Sequence, residues 1–133
     1  MSLIVADASA LVEYLLNTSA APSMGVAVRR SDVEIWIPAL CDVEVTAALR
    51  RALITKILTV RRATAAIQDY LDLPLRRAGH LLHLERVLEL RQNFSAYDAF
   101  YVALAEWLQA ALITADSHLV RAIKSHTDVT VLT

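Results

Sequence analysis

The sequence is poor in the residues that cross-link a chain or break its regular structure. Its 133 residues include one cysteine, two glycines and three prolines. The single cysteine, Cys41, cannot form an internal disulfide, which favours a reducing, cytoplasmic location. With two glycines there is no room for a glycine-rich phosphate-binding loop. No linker or low-complexity tract is present either, so we expect one domain over residues 1–133.

Long apolar runs are also missing. None approaches the ~20 residues that cross a membrane. The amino-terminal apolar stretch lacks a preceding basic segment and is interrupted by Asp7 and Glu13, unlike a secretory signal. We therefore expect no membrane association. Apolar residues nevertheless make up 56% of the chain, above the ~45 to 50% of typical domains, and this surplus predicts buried contacts between subunits.

Neither sign of charge dominates. Thirteen Lys and Arg face 14 Asp and Glu, for a net charge of −1, which alone argues against a nucleic-acid-binding protein. If four acids bind a metal, the remaining charge becomes positive. Eight arginines occur in adjacent pairs: Arg29 and Arg30, Arg50 and Arg51, Arg61 and Arg62, Arg76 and Arg77. Guanidinium groups suit phosphate recognition, although such pairs also serve as solvated helix ends.

Short apolar runs alternate with longer helical patterns, which predicts an α/β fold with a mainly parallel sheet. The predicted strands cover 3–6, 35–37, 73–75, 112–114 and 129–132. The predicted helices cover 8–16, 20–30, 39–53, 59–71, 78–91, 96–108 and 117–125. We expect Thr18 or Ser19 to cap the second helix, with Pro22 in its first turn.

Four acids occupy the positions where strands end or helices begin: Asp7, Glu44, Asp98 and Asp116. In a parallel α/β sheet, the space beyond the carboxyl ends of the strands is where ligands bind. Clustered carboxylates repel one another, so such a group requires a positive ion. Ligation by oxygen alone suits Mg²⁺ or Mn²⁺.

Each acid also has an ordinary structural interpretation. Asp7 and Asp116 are suitable N-caps for the helices that follow them. Ser95 and Asp98 fit a capping box, and Glu44 fits a solvated helix face. The metal-site hypothesis rests on the four acids together.

Other polar residues give weaker signals. Ser9 and Thr114 lie in the same loops and can support the acids, or simply stabilise turns. His80 and His83 have ligand spacing but fit a partly exposed helix face better, and His118 is close enough to Asp116 in sequence to approach a phosphate. No Ser/His/Asp or Cys/His set for nucleophilic catalysis is evident.

Four segments together resemble one known family. They are the opening strand that ends in DAS, PALCDVEVTAALRRAL, ELRQNFSAYDAFYVALAE and LITADSHLVRAIK. The chain resembles, over its whole length, the PIN-domain ribonucleases of the VapC toxin type. The resemblance implies a three-layer α/β/α sandwich with a four- to five-stranded, mainly parallel sheet. It also implies Mg²⁺- or Mn²⁺-dependent cleavage of RNA, a homodimer, and inhibition by a small cognate antitoxin.

The family's acidic quartet corresponds here to Asp7, Glu44, Asp98 and Asp116. We assign Asp7 and Asp98 as direct metal ligands, with Glu44 and Asp116 holding waters or a second ion. A bound Mg²⁺ activates water and neutralises charge on the phosphate. Hydrolysis of this kind leaves a 5′-phosphate and a 3′-hydroxyl.

The resemblance extends to the supporting residues with one departure. The family's helper hydroxyls correspond to Ser9 and Thr114. Asp42 points about 200° away from Glu44 around the helix, so Glu44 is the better match. Some relatives carry a further acid where this chain has Leu119, which puts a complete second metal site in doubt.

Three alternatives remain open from the sequence. A receiver-like phosphoacceptor also gathers acids at strand ends, but it expects a lysine after its fifth strand, where this sequence stops. A housekeeping nuclease of the same fold would not arrest growth. A non-catalytic module would bind metal or RNA without cleaving it.

Nine apolar residues on three helices exceed what one core face needs and predict a groove for a partner peptide. They are Leu11, Leu15, Leu16, Met24, Val26, Val28, Ile67, Tyr70 and Leu71.

Overall fold

The computed structural model describes all 133 residues as an alternation of strands and helices. The strands are β1 Ser2–Ala6, β2 Val33–Pro38, β3 Leu75–Ala78, β4 Ala111–Ile113 and β5 Val131–Leu132. The helices are α1 Ala8–Leu15, α2 Pro22–Arg29, α3 Leu40–Ile54, α4 Val60–Asp72, α5 Leu84–Glu89, α6 Ala96–Leu108 and α7 Ser117–His126, with a 3₁₀ turn at Leu81–His83.

The five strands form one parallel sheet in the order β3-β2-β1-β4-β5. The central strand β1 pairs on both edges, since Val5 lies opposite Trp36 of β2 and Leu112 of β4. After β1 the chain adds β2 and β3 on one side of that strand, and it then adds β4 and β5 on the other side. This reversal makes the carboxyl end of β1 a topological switch point, where α/β proteins bind their ligands. The predicted α/β/α sandwich is confirmed.

The mainly apolar strand β1 occupies the centre of the sheet. Val5 and Ala6 of β1 are fully buried, as expected for a central parallel strand covered on both faces. Helix α6 is buried around most of its circumference and packs against β1, β2 and β4. Cys41 is buried in the core, as its apolar helix face predicts. The helix carrying Asp98 is therefore fixed relative to the strand preceding Asp7.

The region after α4 differs from the sequence prediction. The third strand covers Leu75–Ala78 instead of 73–75, and the predicted helix over 78–91 is reduced to a 3₁₀ turn and the short α5. The prediction was wrong because Leu81, Leu84 and Leu88 follow helical spacing but are exposed, so no core contact stabilises a longer helix.

The predicted cap of α2 is also wrong. The N-cap is Ala21, in the left-handed conformation with φ 52°, and Pro22 is the first helical residue. The Thr18 hydroxyl donates instead to Glu13, and it accepts a hydrogen bond from the Ala20 amide. The segment before α2 is consequently a separate turn. No helix has the length and apolar character needed to cross a membrane.

Candidate metal centre

Asp7 is the innermost acid of the site. It follows β1, caps α1, and is only 5% exposed. Its Oδ1 accepts hydrogen bonds from the Ala10 amide at 2.9 Å and the Ser9 hydroxyl at 2.7 Å, while Oδ2 accepts one from Thr114 Oγ1 at 2.6 Å. The N-cap and site interpretations are thus compatible, because the carboxylate that ends β1 also starts α1.

The two supporting hydroxyls tie the loops after β1 and β4 together. Ser9 Oγ accepts a hydrogen bond from the Ala115 amide at 3.0 Å, and Thr114 Oγ1 accepts one from the Asp116 amide at 3.0 Å. Both hydroxyls also donate to Asp7. Since Thr114 is fully buried, this small network holds Asp7 and the Asp116 backbone in a fixed arrangement.

Asp98 and Asp116 are each placed by the start of a helix. The Asp98 amide donates to the Ser95 hydroxyl at 3.1 Å, which caps α6, and Asp98 lines the cleft from the first turn of that helix. Asp116 caps α7, accepting a hydrogen bond from the His118 amide at 2.9 Å. The predicted N-cap at Asp116 is confirmed, whereas only half of the predicted capping box is present, because no hydrogen bond joins the Ser95 amide to the Asp98 carboxylate.

Glu44 reaches the same cleft from the first turns of α3. Its Oε1 accepts a hydrogen bond from the Tyr101 hydroxyl of α6 at 2.6 Å. Tyr101 is almost fully buried, so this bond restrains a carboxylate that is itself half-buried. Ala47 and Ala48 on the next turn also line the cleft, and their small side chains leave space beside Glu44.

All four predicted acids line one cleft of about 390 Å³ at the carboxyl edge of the sheet. Exposure increases outward, from buried Asp7 through half-buried Glu44 and Asp98 to exposed Asp116. None of the four forms an ion pair with a basic side chain. The cleft therefore concentrates negative charge that no basic side chain neutralises by direct contact.

The acids shift one another's ionisation as well. Burial raises the pKa of Asp7 from 3.8 to about 6, with a smaller contribution from the charge of Asp98. Burial is also the main cause of the raised pKa of Glu44, followed by Asp98, and of the raised pKa of Asp98, followed by Asp116. Carboxylates that resist ionisation in this way gain from a bound cation, which stabilises their charged forms.

The donor set fits a hard divalent ion. No three His, Cys, Asp or Glu side chains are already arranged to hold one ion. Mg²⁺, however, is usually bound through only one or two carboxylates and retains several waters. A deep carboxylate, three further carboxylates and open space in the same cleft match that mode of binding.

The remaining histidine candidates lie outside this cleft. His80 Nε2 accepts a hydrogen bond from the Leu40 amide at 3.0 Å, so it stabilises the start of α3. His83 is buried in the 3₁₀ turn, against the expectation of a partly exposed helix face. His118 contacts Arg121 and does not line the cleft.

Asp42 and Cys41 are also separate from the acidic cleft. Asp42 accepts hydrogen bonds from the Tyr70 hydroxyl at 2.7 Å and from Arg77, which agrees with its predicted direction away from Glu44. Burial raises the pKa of the Cys41 thiol to about 12, which makes it a poor nucleophile.

Two lining residues were missed in the sequence. Tyr101 is 57 residues from the glutamate that it contacts, and nothing local signals that contact. Arg51 lies seven residues after Glu44, which is two helical turns and therefore the same face of α3. That spacing was readable, but the arginine was considered only as part of an adjacent pair.

A second cavity, of about 560 Å³, lies at the opposite edge of the sheet. Its wall includes Glu106, Gln109 and Asp128. Glu106 is already engaged by Arg86 through two hydrogen bonds of 2.9 Å. The acidic cleft is the smaller of the two cavities, but it gathers four carboxylates without an ion pair, whereas the second cavity has one, Asp128.

Comparison with known proteins agrees with the geometry. The PIN domain family model matches residues 4–124. Ribonuclease VapC12 of Mycobacterium tuberculosis is 38% identical over 117 residues, covering 88% of this chain and 89% of that protein. Ribonuclease VapC9 of the same organism is 40% identical over 117 residues, covering 88% of both chains.

Solved structures show the same fold. The VapBC2 structure from Rickettsia felis, bound to a DNA fragment from its promoter, aligns with a TM-score of 0.70 at 11% identity, covering 97% of this chain and 96% of that one. VapC20 of M. tuberculosis, a toxin that cleaves the sarcin-ricin loop, aligns with a TM-score of 0.62 at 18% identity, covering 90% and 94%. The chain belongs to the PIN domain family, and within it to the VapC ribonucleases.

Proposed function

We propose that the protein is the toxin of a toxin-antitoxin pair, an endoribonuclease that hydrolyses RNA with Mg²⁺ or Mn²⁺ held by Asp7, Glu44, Asp98 and Asp116. The observation that carries the proposal is the convergence of these four carboxylates on one cleft without a neutralising basic partner. The likeness to VapC ribonucleases, at 38% and 40% identity over 117 residues, supports the same function.

Each acid has a role suited to its depth in the cleft. Asp7, held by three hydrogen bonds, is the rigid ligand, and Asp98 projects beside it from a buried helix. Glu44 is oriented by Tyr101 and Asp116 by the first turn of α7, so both can position water. When bound, a divalent ion activates water and offsets charge on the phosphate.

The first prediction concerns the products. RNA cleavage should require Mg²⁺ or Mn²⁺, stop in EDTA, and leave 5′-phosphate and 3′-hydroxyl ends, because water and not the 2′-hydroxyl is the nucleophile. Sequencing of 5′-phosphorylated RNA ends, with and without EDTA, measures both properties. Undiminished cleavage in EDTA, or cyclic phosphate ends, would refute the metal mechanism.

The structure bears on the alternatives. Receiver-like proteins have the strand order 2-1-3-4-5, whereas this sheet has the order 3-2-1-4-5, so the phosphoacceptor interpretation is wrong. The non-catalytic alternative keeps all four acids but predicts no metal-dependent cleavage. The housekeeping alternative predicts cleavage without growth arrest.

The surface supports a protein partner, although it differs from the predicted groove. Of the nine apolar residues expected there, Leu11, Leu15, Met24 and Tyr70 are buried in the core, so that part of the prediction is wrong. Val26 and Leu71 remain exposed. A second group of exposed apolar residues lies on the 3₁₀ turn, α5 and α6: Leu81, Leu82, Leu84, Leu88 and Trp107.

A second prediction follows for assembly. We propose a cytoplasmic homodimer that also binds a small antitoxin. The likeness to the VapBC2 structure of R. felis supports the antitoxin partner. Light scattering should give twice the mass of one chain. Leu81→Glu with Leu82→Glu should reduce that mass if the second apolar group forms the dimer, and the matched change at exposed Val43 should not. A wild-type monomer at tens of micromolar would remove the dimer proposal.

Growth tests the toxin role. Production of the chain alone should arrest growth, and co-production of the small protein encoded beside it should restore growth. Normal growth with active enzyme present would favour the housekeeping alternative.

A further inference from the structure

Arg51 is the only basic residue that lines the acidic cleft. It lies on α3 on the same face as Glu44, with Ala47 and Ala48 between them. Because Cα–Cβ bonds in a helix tilt toward its amino terminus, the Arg51 side chain extends over the turn that carries the two alanines. A cationic group therefore borders the open part of the cleft.

The Arg51 guanidinium is free of partners even though four carboxylates share its cleft. It forms no ion pair with any acid within 4.0 Å and no side-chain hydrogen bond. A guanidinium that only neutralised the acids would contact one of them, as Arg77 contacts Asp42 and Arg86 contacts Glu106. Because the Arg51 guanidinium lies more than 4.0 Å from every carboxylate of the cleft, its donors are available to a ligand that enters between it and the acids.

The neighbouring Arg50 provides a contrast within the same chain. One residue along an α-helix turns by about 100°, and Arg50 lines a different groove, together with Leu49, Leu53 and Ile67. Like Arg51, it is exposed and forms no salt bridge. The two arginines are therefore matched in charge and exposure and differ in the surface they face.

We propose that Arg51 binds a backbone phosphate of the RNA next to the phosphate that the acidic cleft hydrolyses. The inference rests on the proposed ribonuclease function and adds the position of a substrate contact. The backbones of Glu44 and Arg51 are about 10 Å apart along the helix axis, and the Arg51 guanidinium forms no ion pair with any acid of the cleft. We therefore assign Arg51 to a neighbouring phosphate instead of the reacting one. Its planar guanidinium can donate two parallel hydrogen bonds to the phosphate oxygens.

A contact of this kind has a defined kinetic effect. A neighbouring phosphate carries the same charge before and during the reaction, so its contact strengthens ground-state and transition-state binding equally. Loss of the contact should raise KM and leave kcat within about twofold. It should also reduce the salt dependence of binding, because each neutralised phosphate of single-stranded RNA releases about 0.7 counterions.

RNA binding measures this directly. Fluorescence anisotropy of a labelled single-stranded RNA of mixed sequence would be recorded over a KCl series, on full-length Asp98→Asn protein to prevent cleavage. Adding Arg51→Ala should weaken binding about tenfold, as expected for a charged hydrogen-bonded contact. The slope of log Kd against log salt should become shallower by about 0.7. Arg51→Lys should keep the slope and recover part of the affinity, and Arg50→Ala should match the parent.

Several results would overturn the proposal. Unchanged binding by Arg51→Ala would show that Arg51 does not contact the RNA. Equal changes of slope in Arg50→Ala and Arg51→Ala would mean that both arginines act only through the general charge of the surface. In the active protein, a fall in kcat with unchanged KM would place Arg51 at the reacting phosphate instead. Failure of the metal mechanism is distinguishable, because it would appear as undiminished cleavage by Asp98→Asn. The role of Arg51 would then be tested by comparing the KM for cleavage between Arg51→Ala and Arg50→Ala in the active protein.

Discussion

Replacing Asp98 by Asn is expected to reduce RNA cleavage by roughly three orders of magnitude, comparable to losing one group that stabilises transition-state charge. The change removes a ligand charge but keeps nearly the same shape. The Asp98 backbone amide, which donates to Ser95, is unaffected, so α6 keeps its cap. Cleavage assays at saturating Mg²⁺, together with far-UV circular dichroism, measure activity and fold separately.

The matched control is Asp72→Asn, which removes an exposed acid at the end of α4, away from the cleft. It should retain full activity. The metal-free Asp98→Asn protein should be at least as stable as the wild type, because burial and the charge of Asp116 raise the pKa of Asp98 and disfavour its charged form. Wild-type activity in Asp98→Asn would refute the quartet as the catalytic site.

The second large effect is expected in stability. Mg²⁺ or Mn²⁺ at a hundredfold excess over Kd should stabilise the folded state by ~2.7 kcal/mol, since the unfolded chain lacks the site. For a chain of this length, that free energy raises the melting temperature by roughly 10 °C. Calorimetry with and without the ion measures the shift.

Stability should also depend on pH, and the direction of that dependence follows from the raised pKa of Asp7. The pKa of this carboxyl is about 6 in the folded protein and 3.8 in an ordinary environment, so the folded state binds the proton more tightly. The metal-free protein should therefore gain stability from this group as pH falls through 6 toward 4, by about 3 kcal/mol in total. Metal binding needs the ionised carboxylate, so the stabilisation by Mg²⁺ should decrease over the same range.

The Asp7→Asn, Asp98→Asn double variant isolates these effects. It should show no metal-dependent shift, and an equal shift would place the ion elsewhere. Burial lowers the pKa of His83, so that histidine opposes the trend by costing stability as pH falls below 6.5. Because His83 is present in both proteins, its contribution cancels in the difference between wild type and double variant.

The limits of the sequence are clearest around residues 73–91. A helical pattern predicted one helix over 78–91, but such a pattern records only which residues share a face and not whether that face meets a core. In the fold, Leu81 and Leu88 are exposed while Val87 and Leu90 are buried, so only a short helix is stabilised. The predicted position of β3 was wrong for a related reason. Arg76 and Arg77 interrupt any apolar alternation, so the strand is defined by its pairing with β2 and not by its own sequence pattern.

The sequence by itself determined the class of fold and the edge of the sheet at which the acids meet. Apolar runs ending in Asp7 and Asp116 were sufficient, because parallel strands present their carboxyl ends at one edge. Only the tertiary structure decided how deeply each acid is buried, which shifts its pKa, and which distant residues contact it. The hydroxyl of Tyr101 on α6 donates to Glu44 on α3, 57 residues away in the sequence. These properties depend on how helices pack against the sheet, and local sequence carries no record of that packing.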